Sequence, residues 1–267
     1  MPRRWPDTFS ISSTVLRPEQ TDVTLLASSA LLPERLPCPD DEVHVWWLPP
    51  GVPGAQLDEL GGLLCIEETA RASRFVHQAQ RDEYIVTRAA LRILLARYLG
   101  VGPRAIGFDR ETHGKPCLNA QTASRGVRFS LAHSGGAALY AVAHGRDVGV
   151  DLEQIRPGLA SASIASRYYR PDEVALLQAL SGAAFVVEFF RCWTRMEARL
   201  KTSGRGLAAA DGREAACGEG CPVYDLDLAP GFAGAVAVDG APHRIICRLF
   251  PGEWLFAAMS GVRPHEC

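Results

Sequence analysis

Hydrophobic and polar positions along the chain follow two periods, and the switches between them predict its elements. EVHVWWLPP is a β-branched and aromatic run closed by prolines, which predicts a strand beginning at Glu42. The long segment ARASRFVHQAQRDEYIVTRAALRILLARYLG carries Tyr84, Leu91, Leu94, Leu95 and Tyr98 at helical spacing and stops at Gly100. It predicts one long amphipathic helix. Two alternating runs, VRFSLAH and ALYAVAH, are joined by SGG and predict a hairpin. The strand expected next is DVGVDLE, with Val148, Val150 and Leu152 on one face and Gly149, Asp151 and Glu153 on the other. AFVVEFFRCWTRMEARLK predicts a second long helix, its buried stripe formed by Phe189, Trp193, Met196 and Leu200, ending near Ser203-Gly204. Two last strands are expected over HRIICRLF and EWLFAAMSG. The second of these echoes GAALYAVAHG, so helix then hairpin is expected in each half, as after an internal duplication.

The pattern thus predicts an α+β fold of two similar α/β subdomains related by a pseudo-twofold, with chemistry at their junction. The expected boundaries are an irregular, Pro/Ser/Thr-rich extension over 1–41, a first subdomain over 42–146 and a second over 147–267.

Composition narrows the class. The chain has 267 residues, 47% apolar, enough for a sizeable core, and a formal net charge of -2 with arginines interspersed among acids. That balance argues against nucleic acid and a membrane surface as partners, and no stretch is long enough to span a bilayer. Eight cysteines without a secretory signal fit free thiols in a reducing, cytoplasmic setting. The pair in CGEGC, Cys217 and Cys221, lacks the other half of a zinc site and reads as a loop.

Candidate chemistry then appears at a few positions. Only two lysines occur, Lys115 in HGKP and Lys201 in WTRMEARLK, in a chain otherwise served by arginine. A compact ammonium and a planar guanidinium are not interchangeable, so these positions are candidates for phosphate contacts. Asp151 and Glu153 share a strand face and offer hard oxygen ligands suited to magnesium, although D-x-E alone equally describes a solvated strand edge. Glu197 and Lys201, four apart, share one helix face, which is also the spacing of an ordinary helix ion pair. His133 ends an apolar strand just before Ser134-Gly135-Gly136, where turn amides can form an anion nest. A structural histidine has the same pattern.

In order, GKP, FSLAHS, GVDLE and WTRMEARLKTSGRGL resemble the motifs of the 4'-phosphopantetheinyl transferases of the surfactin-synthetase type, G-K-P, F-N-x-S-H-S, G-x-D-x-E and W-x-x-K-E-A-x-x-K-x-x-G-x-G-L. The resemblance runs from about Val43 to Ser260. It implies a cytoplasmic, monomeric transferase that moves the 4'-phosphopantetheine arm of coenzyme A to a serine of acyl or peptidyl carrier protein domains in polyketide, peptide or related synthesis. The reaction would depend on Mg2+ and release 3',5'-ADP. Carried over by position, it implies that Asp151, Glu153 and Glu197 hold magnesium, that Glu197 is the base and that Lys201 meets the pyrophosphate. It also implies that Arg71, Lys115, Pro116, His133 and Ser134 bind coenzyme A.

The chain departs from the family pattern at Met196, where lysine precedes the glutamate, at Ala132, where serine precedes the histidine, and at Glu68, where a basic phosphate contact is expected. Arg195 or Arg199 is expected to compensate for Met196. Two other readings fit the residues: a relative that binds coenzyme A or carrier without turnover, and a metal-dependent nuclease or phosphodiesterase.

Overall fold

A computed structural model describes residues 10–12, 22–26, 35–37, 41–51, 57–123, 126–204, 221–242, 244–252 and 254–255. Among them are strands β1 (Ser10–Ser12), β2 (Asp22–Leu26) and β3 (Glu42–Leu48), then helices α1 (Leu57–Gly61), α2 (Ile66–Ala72) and α3 (Gln78–Leu99). The short strands β4 (Phe108–Arg110) and β5 (Pro116–Leu118) precede β6 (Val127–Ser134), β7 (Ala137–His144) and β8 (Val148–Gln154). Helices α4 (Ala162–Tyr168), α5 (Pro171–Gln178) and α6 (Gly182–Thr202) lead into β9 (Val223–Asp227), β10 (Phe232–Val238) and β11 (Arg244–Leu249).

The strands form a mixed α/β architecture in layers. One sheet has the order β2-β11-β3-β7-β6 and the other β1-β9-β10-β8, while β4 and β5 make a separate ribbon. Leu91, Leu94 and Leu95 of α3 pack on Trp46, Tyr140 and Val142 of the first sheet. The opposite face of that sheet, through Val45, Leu139 and Ala141, meets Val150, Leu152 and Val236 of the second sheet. Ala198 of α6 then packs on Ala235 and Ala237, on the second sheet's far side. The order of layers is helix, sheet, sheet, helix. Strands β3 and β7 are therefore buried on both faces, which is why EVHVWWL and ALYAVAH are almost continuously apolar.

Several expectations are corrected here. Residues expected to be an irregular extension supply β1, which pairs with β9, and β2, which pairs parallel to β11. The long helix expected from Ala70 is two helices, broken between Ala72 and Gln78. EWLFAAMSG is not a strand in its described part: Trp254 and Leu255 are helical and buried beside Trp46 and Tyr140. A short buried apolar run cannot distinguish strand from helix by periodicity, and burial in the first core won. The remainder of that segment, 256–261, lies outside the described residues. Strand β11 does not make a hairpin with it; it enters the first sheet parallel to β3, so the chain's late strand completes the early sheet. The antiparallel pair β9 and β10 was not anticipated.

The two sheets also meet edge to edge. Strands β6 and β8 are joined by side-chain hydroxyls: Ser130 Oγ accepts from the Val150 amide and Ser134 Oγ from the Gln154 amide, each at 3.1 Å. These bonds satisfy amides on an edge strand that would otherwise lack partners. Among the described residues, no helix is long and apolar enough to cross a membrane.

Candidate active site

The β6–β8 seam opens into a cleft of about 730 Å³, walled by α2, α3, the β4–β5 ribbon and the end of α6. Its shape starts with glycines. Gly135 and Gly136 take φ 60° and 77°, the left-handed pair of a two-residue hairpin turn, which sets the register His133↔Ala138 and Ser134↔Ala137. His133 thereby stands at the cleft wall and Ser134 beside β8.

Gly149 governs the other side. A Cβ there would lie 2.1 Å from the carbonyl oxygen of Ala198 and 2.6 Å from the amide nitrogen of Thr202, so α6 rests directly on the β8 backbone. This contact and the alternation along β8 bring Asp151 and Glu153 to the α6 side. Asp151 is 5% exposed; its Oδ1 accepts from Lys201 Nζ at 2.6 Å, and its buried Oδ2 has no hydrogen-bond partner among the described residues. Glu153 accepts from Ser134 Oγ at 3.0 Å. Glu197 takes no hydrogen bond from the described residues, yet it feels the other two carboxylates. Burial first, then the Asp151 charge, pushes its carboxyl above the ordinary range. Burial also raises Asp151 and Glu153, with Lys201 pulling Asp151 back and the Asp151 charge adding to the rise at Glu153. The residues expected to hold magnesium are thus electrostatically coupled.

Their chemistry fits a small hard cation. Asp151 keeps one buried carboxylate oxygen unpartnered, and all three donors are carboxylates. Among the described residues, no group of three or more His, Cys, Asp or Glu side chains stands close enough to hold a metal ion together. Magnesium commonly takes one or two carboxylates and fills its other positions with water and phosphate oxygens, so a partial set is sufficient.

The remaining expected residues divide between two cavities. Arg71, Pro116 and His133 line the large cleft, where His133 Nδ1 donates to Glu83 Oε1 at 3.0 Å and Arg71 lies over the Tyr84 ring. Lys115 instead lines a smaller cavity of about 300 Å³ with Glu197 and Lys201, and donates to the Val148 carbonyl at 3.2 Å. Burial pulls its ammonium below the usual range. The two lysines of the chain therefore meet at this cavity, and Lys201 borders both. The Ser134 hydroxyl is occupied by Glu153 and the Gln154 amide, which makes it a support for the carboxylate.

Met196 packs at 2% exposure in a cluster with Phe189, Phe190 and Leu200, as its helical position implied. The expected compensation by neighbouring arginines does not occur. Arg195 is buried against Asp225 and Glu188, and Arg199 is desolvated with Glu173 as its favourable charge; neither lines the cleft.

Sequence reasoning missed the cationic wall built around Glu68. This buried carboxylate accepts from Arg88 Nε at 2.8 Å and Arg92 Nε at 2.7 Å, while Arg92 Nη1 also donates to the carbonyls of Pro103 and Ile106. Burial works to raise the Glu68 carboxyl, but Arg88 and Arg92 outweigh it and hold it low. An acid where the resemblance implies a basic phosphate contact thus serves to hold Arg88 at the cleft, stacked over Phe108. Arg88 and Arg92, four apart within the apolar stretch from Ile85 to Ala96, were the legible signal: two cations in such a stretch need an acid nearby.

Comparison with known proteins adds lineage to this geometry. The family model described as 4'-phosphopantetheinyl transferase, N-terminal, matches residues 53–144, and that of the 4'-phosphopantetheinyl transferase superfamily matches residues 147–216. The chain is 42% identical over 176 residues to the 4'-phosphopantetheinyl transferase HetI of Nostoc sp., spanning 66% of this chain and 74% of that protein. It belongs to the 4'-phosphopantetheinyl transferase superfamily. Similarity extends to a 4'-phosphopantetheinyl transferase of Bacillus subtilis, 27% identical over 151 residues, covering 57% of this chain and 65% of the relative. The transferase Sfp of Bacillus subtilis (strain 168) is 25% identical over 142 residues, covering 53% and 61%. The chain spans less than two thirds of these last two relatives. As a phosphopantetheinyl transferase it is an enzyme of group transfer, and its acidic and cationic residues fall within both matched stretches.

Proposed function

We propose that this transferase moves the 4'-phosphopantetheine arm of coenzyme A onto a serine of acyl or peptidyl carrier protein domains, releasing 3',5'-ADP. The observation that carries the reading is that Asp151, Glu153 and Lys201 line a cleft walled by Arg71, Arg88 and His133, while Glu197 and Lys201 line the smaller cavity beside it. Cations along the wall suit the nucleotide phosphates, and the carboxylate end suits the reacting pyrophosphate. The two layers of sheet and helix are read as subdomains related by a pseudo-twofold, with the cleft at their seam.

The residues divide the work. Asp151, Glu153 and Glu197 would hold Mg2+, which when bound neutralises pyrophosphate charge and orients it for displacement. A serine hydroxyl is a weak nucleophile near neutral pH, so a positioned base contributes about 10²–10⁴-fold. Glu197, half-buried and with its carboxyl raised by desolvation and then by the Asp151 charge, takes the serine proton as the serine oxygen bonds to the β-phosphorus. The bond from that phosphorus to the bridging oxygen breaks, and its electron pair leaves with 3',5'-ADP. Lys201, within reach of Asp151 and both cavities, meets the charge growing on that leaving phosphate. Ser134 holds Glu153 in place throughout.

Met196 motivated the reading of a relative without turnover. Its burial in the helix core, away from the cleft, supports an active enzyme. Incubating the protein with coenzyme A, Mg2+ and a panel of apo carrier domains, then weighing the carriers, tests the proposal. Phosphopantetheine mass on at least one carrier is expected; no gain on any of them refutes it.

A further inference from the structure

A buried ion cluster beside the site has no part in the mechanism above. Arg195, 2% exposed, donates through Nε to Asp225 Oδ1 at 2.7 Å and through Nη2 to Asp225 Oδ2, while Nη1 donates to Glu188 Oε1 at 2.9 Å. Taking such charges out of water is costly, and well-packed apolar replacements for a buried pair are often no less stable. Stability alone is therefore a weak explanation for the cluster. Its position supplies another.

Ala235 of β10 lies in register with Asp225 on β9 and with Asp151 on β8. Directly opposed residues point to one face, so the two aspartates stand in a single row across the sheet, both toward α6. They are two strand spacings apart, about 9.6 Å. Their partners on α6 are Arg195 and Lys201, six residues apart (201 − 195), which is about 9 Å along the axis. The helix is thus tied to one row of the sheet at two points. Between them lies Glu197, and Ala198 packs on the small Ala235 in the middle of the row.

Resting on the transferase reading, we propose that Arg195, through Asp225, is a positioning residue: it fixes the rotation and height of α6 so that Glu197 keeps its place while Lys201 is engaged with phosphate. Of the two anchors, Lys201–Asp151 consists of residues used in the reaction, and Arg195–Asp225 lies outside it. The arginine next to Met196 therefore serves geometry rather than phosphate binding.

The test is the double variant Arg195→Met/Asp225→Leu, which removes both charges together, alongside Arg195→Met and Arg195→Lys. Each is compared with the wild type for thermal melting, coenzyme A affinity by calorimetry, and kcat and KM with coenzyme A and a carrier. The double variant is expected to melt near the wild type and bind coenzyme A normally, with KM little changed and kcat lower by about 10- to 100-fold, the effect of a displacement of up to 1 Å. Arg195→Lys is expected to recover part of the kcat lost in Arg195→Met. A folded double variant with wild-type kcat overturns the proposal, as does a raised KM with kcat intact. Should the double variant fail to fold, Arg195→Lys decides: lowered kcat at unchanged KM and melting supports the proposal, and unchanged kcat overturns it. Wild-type protein inactive on every carrier would instead sink the transferase reading, and the proposal with it.

Discussion

Replacing Gly149 by alanine puts one methyl group where α6 touches β8. The new Cβ would lie 2.1 Å from the Ala198 carbonyl oxygen and 2.6 Å from both the amide nitrogen and the Oγ1 of Thr202. Contacts of this kind are not made below 3.0 Å, so strand and helix must part by about 1 Å, and the atom in the way is helix backbone that cannot rotate aside. Overpacking of this kind costs about 1–3 kcal/mol. At about 2–4 °C per kcal/mol, the melting temperature should fall by roughly 2–12 °C, leaving a folded protein. The catalytic effect should be larger, because Asp151 is two residues from the inserted methyl and its 2.6 Å contact with Lys201 spans the same interface. A misplacement of about 1 Å can cost about 100-fold in rate. Carrier modification followed by mass spectrometry, with melting by circular dichroism, measures both. Gly158→Ala, where the added Cβ meets nothing within 4 Å, is the control and should change neither. A folded Gly149→Ala protein that transfers at the wild-type rate would refute the claim that this backbone approach sets the site.

Other perturbations separate the roles of individual residues. Glu197→Gln should leave the melting temperature nearly unchanged and lower kcat by about 10²–10⁴-fold, and a variant that turns over normally would remove Glu197 as base. Ser134→Ala removes the hydroxyl that supports Glu153 and caps the Gln154 amide; about 1 kcal/mol of stability should go with it, together with a higher half-saturating Mg2+ concentration in a magnesium titration. Glu68→Gln takes the carboxylate from two guanidinium groups and should cost about 3–5 kcal/mol at neutral pH by urea unfolding. Since the Glu68 pKa is held below its ordinary value of 4.5, the stability it contributes is present above that pH and is lost as pH falls through the lowered value. The acid limb of stability should therefore be steeper in the wild type than in Glu68→Gln, and parallel limbs would show that the Arg88–Glu68–Arg92 cluster contributes no such linkage.

Much of the site was legible because it is written in local periods. Alternation along DVGVDLE placed Asp151 and Glu153 on one face, and the helical stripe through Phe189, Met196 and Leu200 placed Glu197 and Lys201 on another. SGG was enough to place His133 at a turn. The less legible features depend on partners distant in sequence. Nothing local in HRIICRLF says that it pairs parallel with residues near the start of the chain, and a turn signal for such pairing does not exist. Lys115 read as a nucleotide contact because its motif fixes a loop, whereas the direction of its side chain depends on the Val148 carbonyl from another strand. Arg195 read as a substitute for the lysine missing at Met196 because its acid, Asp225, comes from a strand that sequence patterning did not find.

The place of β11 between β2 and β3 bears on how the chain is made. During synthesis the residues of β3, β6 and β7 emerge long before 244–249, yet the first sheet has no link from β3 to β2 until that strand arrives. A ribosome-bound chain would expose the flank of β3, a strand of valine and tryptophan, until residues 244–249 have emerged. Emergence of residues 244–249, rather than of residues 42–144, is then the moment at which the sheet beneath the cleft can close.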